Sequence, residues 1–310
     1  MYEDMLGFAV AEPPGLLRIT APKHIDALRT FVENDPPYKP TVPYTKEFDL
    51  IEPCDVPETG SVEWYAFDAR VYFMQEAGGH VAHIIKVRPD AAAALSMVVR
   101  YSHCPDARAV RCLKHLIFYL LNTVDVGITV HVPDNPTVDM LVWPAALHPD
   151  HVLDVNCKPA QYHVVLDGAL SIDRSRCGIF HMFAGVAIAT QAFRQHSIAI
   201  TAHDSEVFTA STGAAQSVPI RGILHEVDIS QALPTPIFSD SASTRLVANS
   251  EAALRKSIYI ARRVLFMREG VHDGEYTFHT CIGKTNPANP LTKVVPSKEA
   301  ATARKYYMGM

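Results

Sequence analysis

The sequence predicts an α/β protein: a second half in which strands alternate with helices, preceded by a mainly helical first half. Three observations carry this. In Gly185–Ala215, GVAIATQAFRQHSIAITAHDSEVFTASTGAA, two-residue alternation gives way to a helical run. Ile198 and Ile200 fall on one side of an extended segment, and Asp204, Ser205 and Glu206 then supply cap-type and acidic residues at a helix start, with Glu206 in its first turn. Upstream, Ala107–Asn122 sets Val110, Leu113, Ile117 and Leu121 on one helical stripe. Between the halves, residues 132–160 are rich in Pro and Asp and place a domain boundary near 145–160.

A chain of 310 residues can bury two cores. Its 48% hydrophobic and 20% charged residues exclude a disordered or fibrous chain. The longest apolar run, about Leu116–Leu121, is far short of the ~20 residues a membrane helix needs. The start MYEDMLGFAV lacks the basic residues of a secretory signal. Cys54, Cys104, Cys112, Cys157, Cys177 and Cys281 are scattered without a C-x-x-C, which reads as reduced thiols of an intracellular protein. Charge is uneven: residues 161–310 hold 15 Lys and Arg against 12 Asp and Glu, whereas residues 1–160 hold 13 against 21. The second half is therefore the one suited to a polyanion.

In chain order, Phe8–Val10 and Leu16–Thr20 flank a turn and read as a strand pair, followed by a helix over Lys23–Glu33. Six prolines in residues 34–62 forbid a long helix there. Residues 63–102 read as helix in two pieces, broken near Gly78-Gly79 and again at Pro89. A strand is expected at Gly127–His131. In the second half, strands are expected at Tyr162–Leu166, Gly178–Phe183, Val186–Thr190 and Ser197–Thr201. A helix over Asp204–Val227 should kink or end at Pro219. Then come a strand at Pro236–Ser239, a helix at Ser241–Asn249, a helix from Arg255 to Glu269 ended by Gly270, a strand at Glu275–Cys281 and mostly helix over Pro287–Ala303. Antiparallel strands followed by alternating helices and strands form the element order of a ribonuclease H-like mixed sheet with flanking helices.

The motifs along this order resemble the C-terminal polyprotein region of copia-type long-terminal-repeat retrotransposons. GVAIATQAFRQHSIAITAHDSEV lies without a gap on the family's G-A-P-I-S-W-S-S-K-K-Q-P-T-V-A-L-S-S-T-E-A-E-Y, with Gly185, Ile188, Gln195, Ala199 and Glu206 identical. PTPIFSDSAST is similar to P-V-P-I-Y-C-D-N-Q-S-A, with Asp240 on its aspartate. IARRVLFMREGVHDGEYTF is similar to I-R-Y-H-F-I-R-E-x-V-x-D-G-E-I-E-L, and ANPLTKVVP to A-D-I-F-T-K-A-L-P. VRPDAAAALSMVVRYSHCPDARAVRCLKHLIFYLLNTVDVGITV resembles the segment between polymerase and ribonuclease H, and LLRITAPKHIDALRTF the end of the palm. The resemblance implies a reverse-transcriptase palm-end, connection and thumb remnant over 1–150 and a ribonuclease H-like domain over 151–310. It supplies no polymerase Y-V-D-D, so DNA synthesis by this chain alone is not expected.

The family's chemistry is cleavage of RNA in an RNA–DNA hybrid by two divalent ions, Mg²⁺ or Mn²⁺, held by four carboxylates. The resemblance implies Glu206 and Asp240 for the second and third. For the first, strand position implies Asp167 in VVLDGAL; a register set by Asp173-Arg174 would instead put Val165 there. The fourth position is Asn289, which lacks the charge. Arg194, Lys256, Arg262 and Arg263 are candidates to line hybrid phosphates, with Arg255 and Arg268 in the same basic run. Further departures, Ser257 and Tyr259 for the family's His and Asp among them, imply a decayed or domesticated copy with weak or absent nuclease activity. The competing reading is a non-catalytic binding or structural subunit of a protein assembly; a third is a nuclease completed by a polymerase part on another chain.

Simpler readings stand beside these. Glu206 suits a helix N-terminus by charge alone. Asp240 is a cap for the helix that follows, and Asp167 a turn residue before Gly168. His148, His151 and Cys157, and separately His80 and His83, invite a zinc reading, but the spacing is loose and no second pair completes a set. No G-x-S-x-G elbow and no G-x-x-x-x-G-K-[ST] loop occurs.

Overall fold

The computed structural model describes residues 2–3, 8–12, 16–131, 161–172, 174–250 and 258–309. The chain divides into two compact units, Met1–Thr129 and Val130–Met310. The boundary expected near 150 falls in 132–160, outside the described residues.

In the first unit, strands β1 (Tyr2–Glu3), β2 (Ala9–Ala11), β3 (Leu16–Thr20) and β4 (Ile128–His131) form a sheet in that order. β2 and β3 are antiparallel, with Val10 opposite Ile19. The helices are α1 (Pro22–Ala27), α2 (Val62–Ile84), α3 (Ala92–Val99) and α4 (Ala107–Asn122). Ser61 caps α2 by accepting from the Trp64 N–H, and Asp106 caps α4 by accepting from Ala109. The break expected at Gly78-Gly79 does not occur: α2 runs straight through. A Cβ on Gly78 would lie 3.2 Å from Val99 Cγ1, so this glycine serves the close approach of α3. The buried face of α4 is also rotated from the expected stripe. Leu113 and Ile117 are buried, as are Leu116 and Leu120, but Val110 and Leu121 are only half-buried.

A buried polar network joins the start of α3 to the end of α4. The Arg88 guanidinium donates to both Asp90 carboxylate oxygens at 2.9 Å and to the Thr123 carbonyl at 3.0 Å. The Tyr119 hydroxyl donates to Asp90 at 2.5 Å. Arg88 and Asp90 side chains are 0% and 2% exposed, so this is a fully desolvated pair. Breaking such a pair strands a charge, whereas satisfying it holds two elements in one arrangement.

The second unit is a five-stranded mixed sheet with helices on both faces, an α/β architecture as the sequence predicts. Its strands are β5 (His163–Ala169), β6 (Arg176–Phe183), β7 (Val186–Arg194), β8 (Thr235–Ser239) and β9 (Tyr276–Thr280), in the order β7-β6-β5-β8-β9. β5, β6 and β7 form an antiparallel meander; β8 is parallel to β5, and β9 to β8. The helices are α5 (Ala202–Glu226), α6 (Ala242–Ala248), α7 (Ile258–His272), α8 (Asn289–Thr292) and α9 (Ser297–Met308). Val164, Leu166, Ile179 and Ile237 meet Val207, Ala210, Val264 and Met267 in one core. On β6, Phe180 stacks on Tyr307 of α9, with ring centroids 4.4 Å apart. The central strand β5 is buried along nearly its whole length, as parallel pairing and two covered faces require.

Several expectations fail here. Ser197–Thr201 is not a strand, and Ile198 and Ile200 are 73% and 71% exposed. The ladder with β6 ends at Arg194, so the alternation beyond it has no partner strand. The helix start lies earlier than expected. Thr201 is the N-cap, in a capping box with Asp204, which puts Glu206 in the second turn. Gly270 does not end α7; a Cβ there would sit 2.2 Å from the Tyr276 ring, so its bareness admits that ring. The left-handed turn residue is Gly274, at φ 71°. Pro219 lies within α5 and does not end it.

Asp90→Asn leaves Arg88 buried beside a neutral amide. It is expected to destabilise the first unit by about 3–5 kcal/mol, measured by urea unfolding; a loss below about 1 kcal/mol would mean that the network carries no stability.

Candidate metal centre

β5 and β8 run parallel, with Val165 opposite Phe238. Two residues further along each chain stand Asp167 and Asp240, side by side at the carboxyl ends of adjacent strands, where open α/β sheets place their ligands. Glu206 reaches the same spot from α5. One carboxylate oxygen of each of Asp167, Glu206 and Asp240 lies within 4.8 Å of the others. Val165, the other register for the first position, is fully buried.

Close approaches bring these elements together. Gln195, buried just past the end of β7, donates through Nε2 to the Ser205 carbonyl at 2.9 Å, while its own N–H is bonded to the Ser175 carbonyl at 2.8 Å. It fixes the start of α5 one residue before Glu206. A Cβ on Gly168 would lie 3.1 Å from the Glu206 Cα, so the glycine after Asp167 lets the helix sit against the strand. Across the ladder, Gly178 pairs with Asp167, and a Cβ on it would lie 2.5 Å from the Leu291 Cβ. That contact seats α8 beside Asp167. The Thr292 hydroxyl donates to Asp167 Oδ2, and Lys293 Nζ lies 3.7 Å from the same oxygen.

Asn289 is 2% exposed at the start of α8. Its Nδ2 donates to the Gly283 carbonyl at 2.7 Å and to Glu299 Oε1 at 3.4 Å. Gly283 in turn borders Asp240: a Cβ on it would be 3.0 Å from Asp240 Oδ2. Asn289 thus braces the loop beside the carboxylates. Its Oδ1, Glu206 Oε2 and Asp240 Oδ1 are buried and have no hydrogen-bond partner among the described residues.

Electrostatics follow from this crowding. Burial, then repulsion by Asp167 and Asp240, pushes the Glu206 carboxyl up to about 9, against the opposing pull of Lys293 and the Gly168 N–H. Burial and Asp167 also raise Asp240. The nearby Cys281 thiol is pushed up by burial and by all three carboxylates. Acceptor oxygens without donors, in a group that resists full ionisation, fit a hard divalent cation.

The basic candidates are dispersed. The Arg263 guanidinium carbon sits 3.8 Å over the Phe208 ring centroid and the group donates to Ser211, tying α7 to α5. Arg268 donates to the Val247 carbonyl. Arg262 is exposed on α7, and Arg194 is half-buried at the end of β7. Arg255 and Lys256 lie outside the described residues, as do His148, His151 and Cys157. His80 and His83 line a cleft of about 420 Å³ with His24 and Glu76. The His83 ring stacks on Phe8 and meets His24 edge-on. Among the described residues, only Asp167, Glu206 and Asp240 form a metal-competent group of three or more His, Cys, Asp or Glu.

Sequence reasoning does not single out Thr292, Lys293, Gly178 or Gly283. The first two stand in ANPLTKVVP as the T-K of the family motif, a signal easily passed over beside Asn289.

The chain is similar to the retrovirus-related Pol polyprotein from transposon TNT 1-94 of Nicotiana tabacum, 24% identical over 246 residues. The match takes in 79% of this chain and 16% of that polyprotein, so the chain spans only a small part of its relative. No protein-family model matches the chain.

Because its folded value is raised, Glu206 stabilises the fold in its protonated form. That contribution is full below the ordinary 4.5 and is lost as pH rises toward 9. In EDTA, Glu206→Gln is expected to melt above the unsubstituted protein at about pH 9, by about 2–4 °C per kcal/mol relieved, with a smaller difference at about pH 5. Thermal unfolding by circular dichroism checks this; a variant less stable at both pH values would refute it.

Proposed function

We propose that the chain is a retrotransposon-derived protein of the copia type. In this reading its second unit is a ribonuclease H-like domain and its first unit the polymerase palm-end and connection remnant. The observation that carries it is the convergence of Asp167, Glu206 and Asp240 at the ends of two parallel strands and a helix. The strand order, an antiparallel meander joined to two parallel strands, supports it, as does the likeness to a transposon Pol polyprotein.

The substrate in this reading is an RNA–DNA hybrid, and Asp167, Glu206 and Asp240 would hold Mg²⁺ or Mn²⁺. Such ions, when bound, activate water and stabilise the leaving oxygen. The chain's own residues set the conditions. Thr292 and Lys293 fix the Asp167 carboxylate, the Gly168 N–H orients Glu206, and Gly283 gives Asp240 room. Asn289 withholds the fourth negative charge, so cleavage is weak or absent. The second reading, a non-catalytic module in a protein assembly, draws on the same residue, because the Asn289 amide is engaged in bracing the fold.

A labelled RNA–DNA hybrid with Mg²⁺ or Mn²⁺ tests the reading. Little or no cleavage is expected from the unsubstituted chain, and any that occurs should vanish in Glu206→Gln. Asn289→Asp combined with Glu299→Gln, which removes the carboxylate facing the new one, is expected to raise cleavage at least about tenfold, the scale of ~1.4 kcal/mol in the barrier. No cleavage by any of these proteins would favour the non-catalytic module.

A further inference from the structure

We infer that Cys54 and Cys104 are a thiol pair that a small-molecule disulfide oxidises to a disulfide bond, and that this bond staples the proline-rich segment 34–62 to the head of α4. The carboxylate centre of the second unit has no part in it.

The two cysteines lie far apart in the sequence, and no C-x-x-C spacing marks them. The fold sets them opposite each other. Pro53 and Pro105 form an antiparallel bridge, and the Cys54 N–H donates to the Cys104 carbonyl at 3.1 Å. One residue along from the bridge, Cys54 and Cys104 are therefore direct partners. Partners bonded in this way have Cα atoms about 5.5 Å apart and side chains on the same face. A disulfide spans a Cα separation of about 4.4–6.8 Å. The Cys54 thiol already reaches across: its Sγ donates to the carbonyl of Pro105, the residue after Cys104, at 3.2 Å. That carbonyl also accepts from Arg70 Nε at 3.2 Å, so it keeps a donor when Cys54 gives up its S–H.

Access favours this pair. Cys54 and Cys104 are half-buried and stand beside exposed Pro53, Asp55 and His103, whereas Cys112, Cys177 and Cys281 are buried. Residues 54–58 belong to no helix or strand, so the small approach needed to bond the sulfurs is taken up there without breaking an element. The first part of the segment is already tied to α4 by Lys114 on Asp35, Asn122 on the Tyr38 carbonyl and His115 on the Val42 carbonyl. The cysteine bridge holds its far end beside Asp106, the cap of α4.

The step is thiol–disulfide exchange. One of the two cysteines, as a thiolate, attacks one sulfur of the small disulfide; a mixed S–S bond forms and one small thiolate leaves. The other cysteine, its proton lost to water, attacks the protein sulfur of that mixed bond and expels the second small thiolate. The protein thiols lose two electrons and two protons, and the small disulfide takes them up as two thiols.

The test is incubation of the folded full chain with oxidised glutathione, then alkylation, digestion and mass spectrometry. A peptide pair joined through Cys54 and Cys104 is expected. The oxidised chain should melt at least about 5 °C higher, a gain that dithiothreitol reverses. In Cys54→Ser the cross-link should be absent and one glutathione retained on Cys104; in Cys104→Ser the adduct should stay on Cys54. Glutathione retained on both cysteines of the unsubstituted chain, no reaction at either, or Cys54 joined to a different cysteine would overturn the pairing. A Cys54–Cys104 bond that leaves the melting temperature unchanged would overturn the staple.

Discussion

Three carboxylates within 4.8 Å of one another, at the rim of a packed core, is the constraint to which the second unit is built. Each negative charge raises the free energy of the next, and burial removes the water that would screen them. The fold answers with few donors: the Gly168 N–H toward Glu206, and Thr292 and Lys293 toward Asp167. What remains is carried by protonation, with Glu206 the group pushed furthest. Parallel pairing of β5 and β8 enforces this proximity, since it sets Asp167 and Asp240 at the same level of adjacent strands. Gly168 and Gly178 then allow α5 and α8 to close in around the strand end. A side chain at either position would displace Glu206 or α8.

The parts of this arrangement that are legible in the sequence are those fixed by local pattern. The strands β5, β6, β8 and β9 and the bounds of the helices α4 and α6 follow local pattern closely. Where pattern misleads, a long-range contact decides the matter. Ile198 and Ile200 alternate like a strand, but the neighbour they would need ends at Arg194. Gly78 and Gly270 look like helix breakers, yet each is bare because Val99 or Tyr276 fills the place of its side chain. No property of the local sequence distinguishes a glycine that ends a helix from one that admits a neighbour. The carboxylate trio is legible through ordered motifs. Its partners Thr292 and Lys293 are not, because their role exists only once α8 is seated on Gly178.

The first unit shows the same logic with opposite charges paired. Arg88 and Asp90 stand two apart, with Pro89 between them at the head of a short turn. Read locally they are an ordinary helix-start pair. In the fold they are desolvated, and Asp90 is shared between Arg88 and the Tyr119 hydroxyl while Arg88 satisfies the Thr123 carbonyl at the end of α4. Excess charge is tolerated in the second unit only at the edge of its core; in the first unit the charge is neutralised and can be buried outright.

Asn289 has a role in the fold that a carboxylate could not fill. Its Nδ2 donates to the Gly283 carbonyl and to Glu299, and a carboxylate in that place would face two acceptors with nothing to give. The amide therefore holds the loop that borders Asp240, and Glu299 is placed to accept from it. An acid placed there alone would set a new negative charge against both the Gly283 oxygen and Glu299, which is why the single substitution is a poorer probe than the paired change.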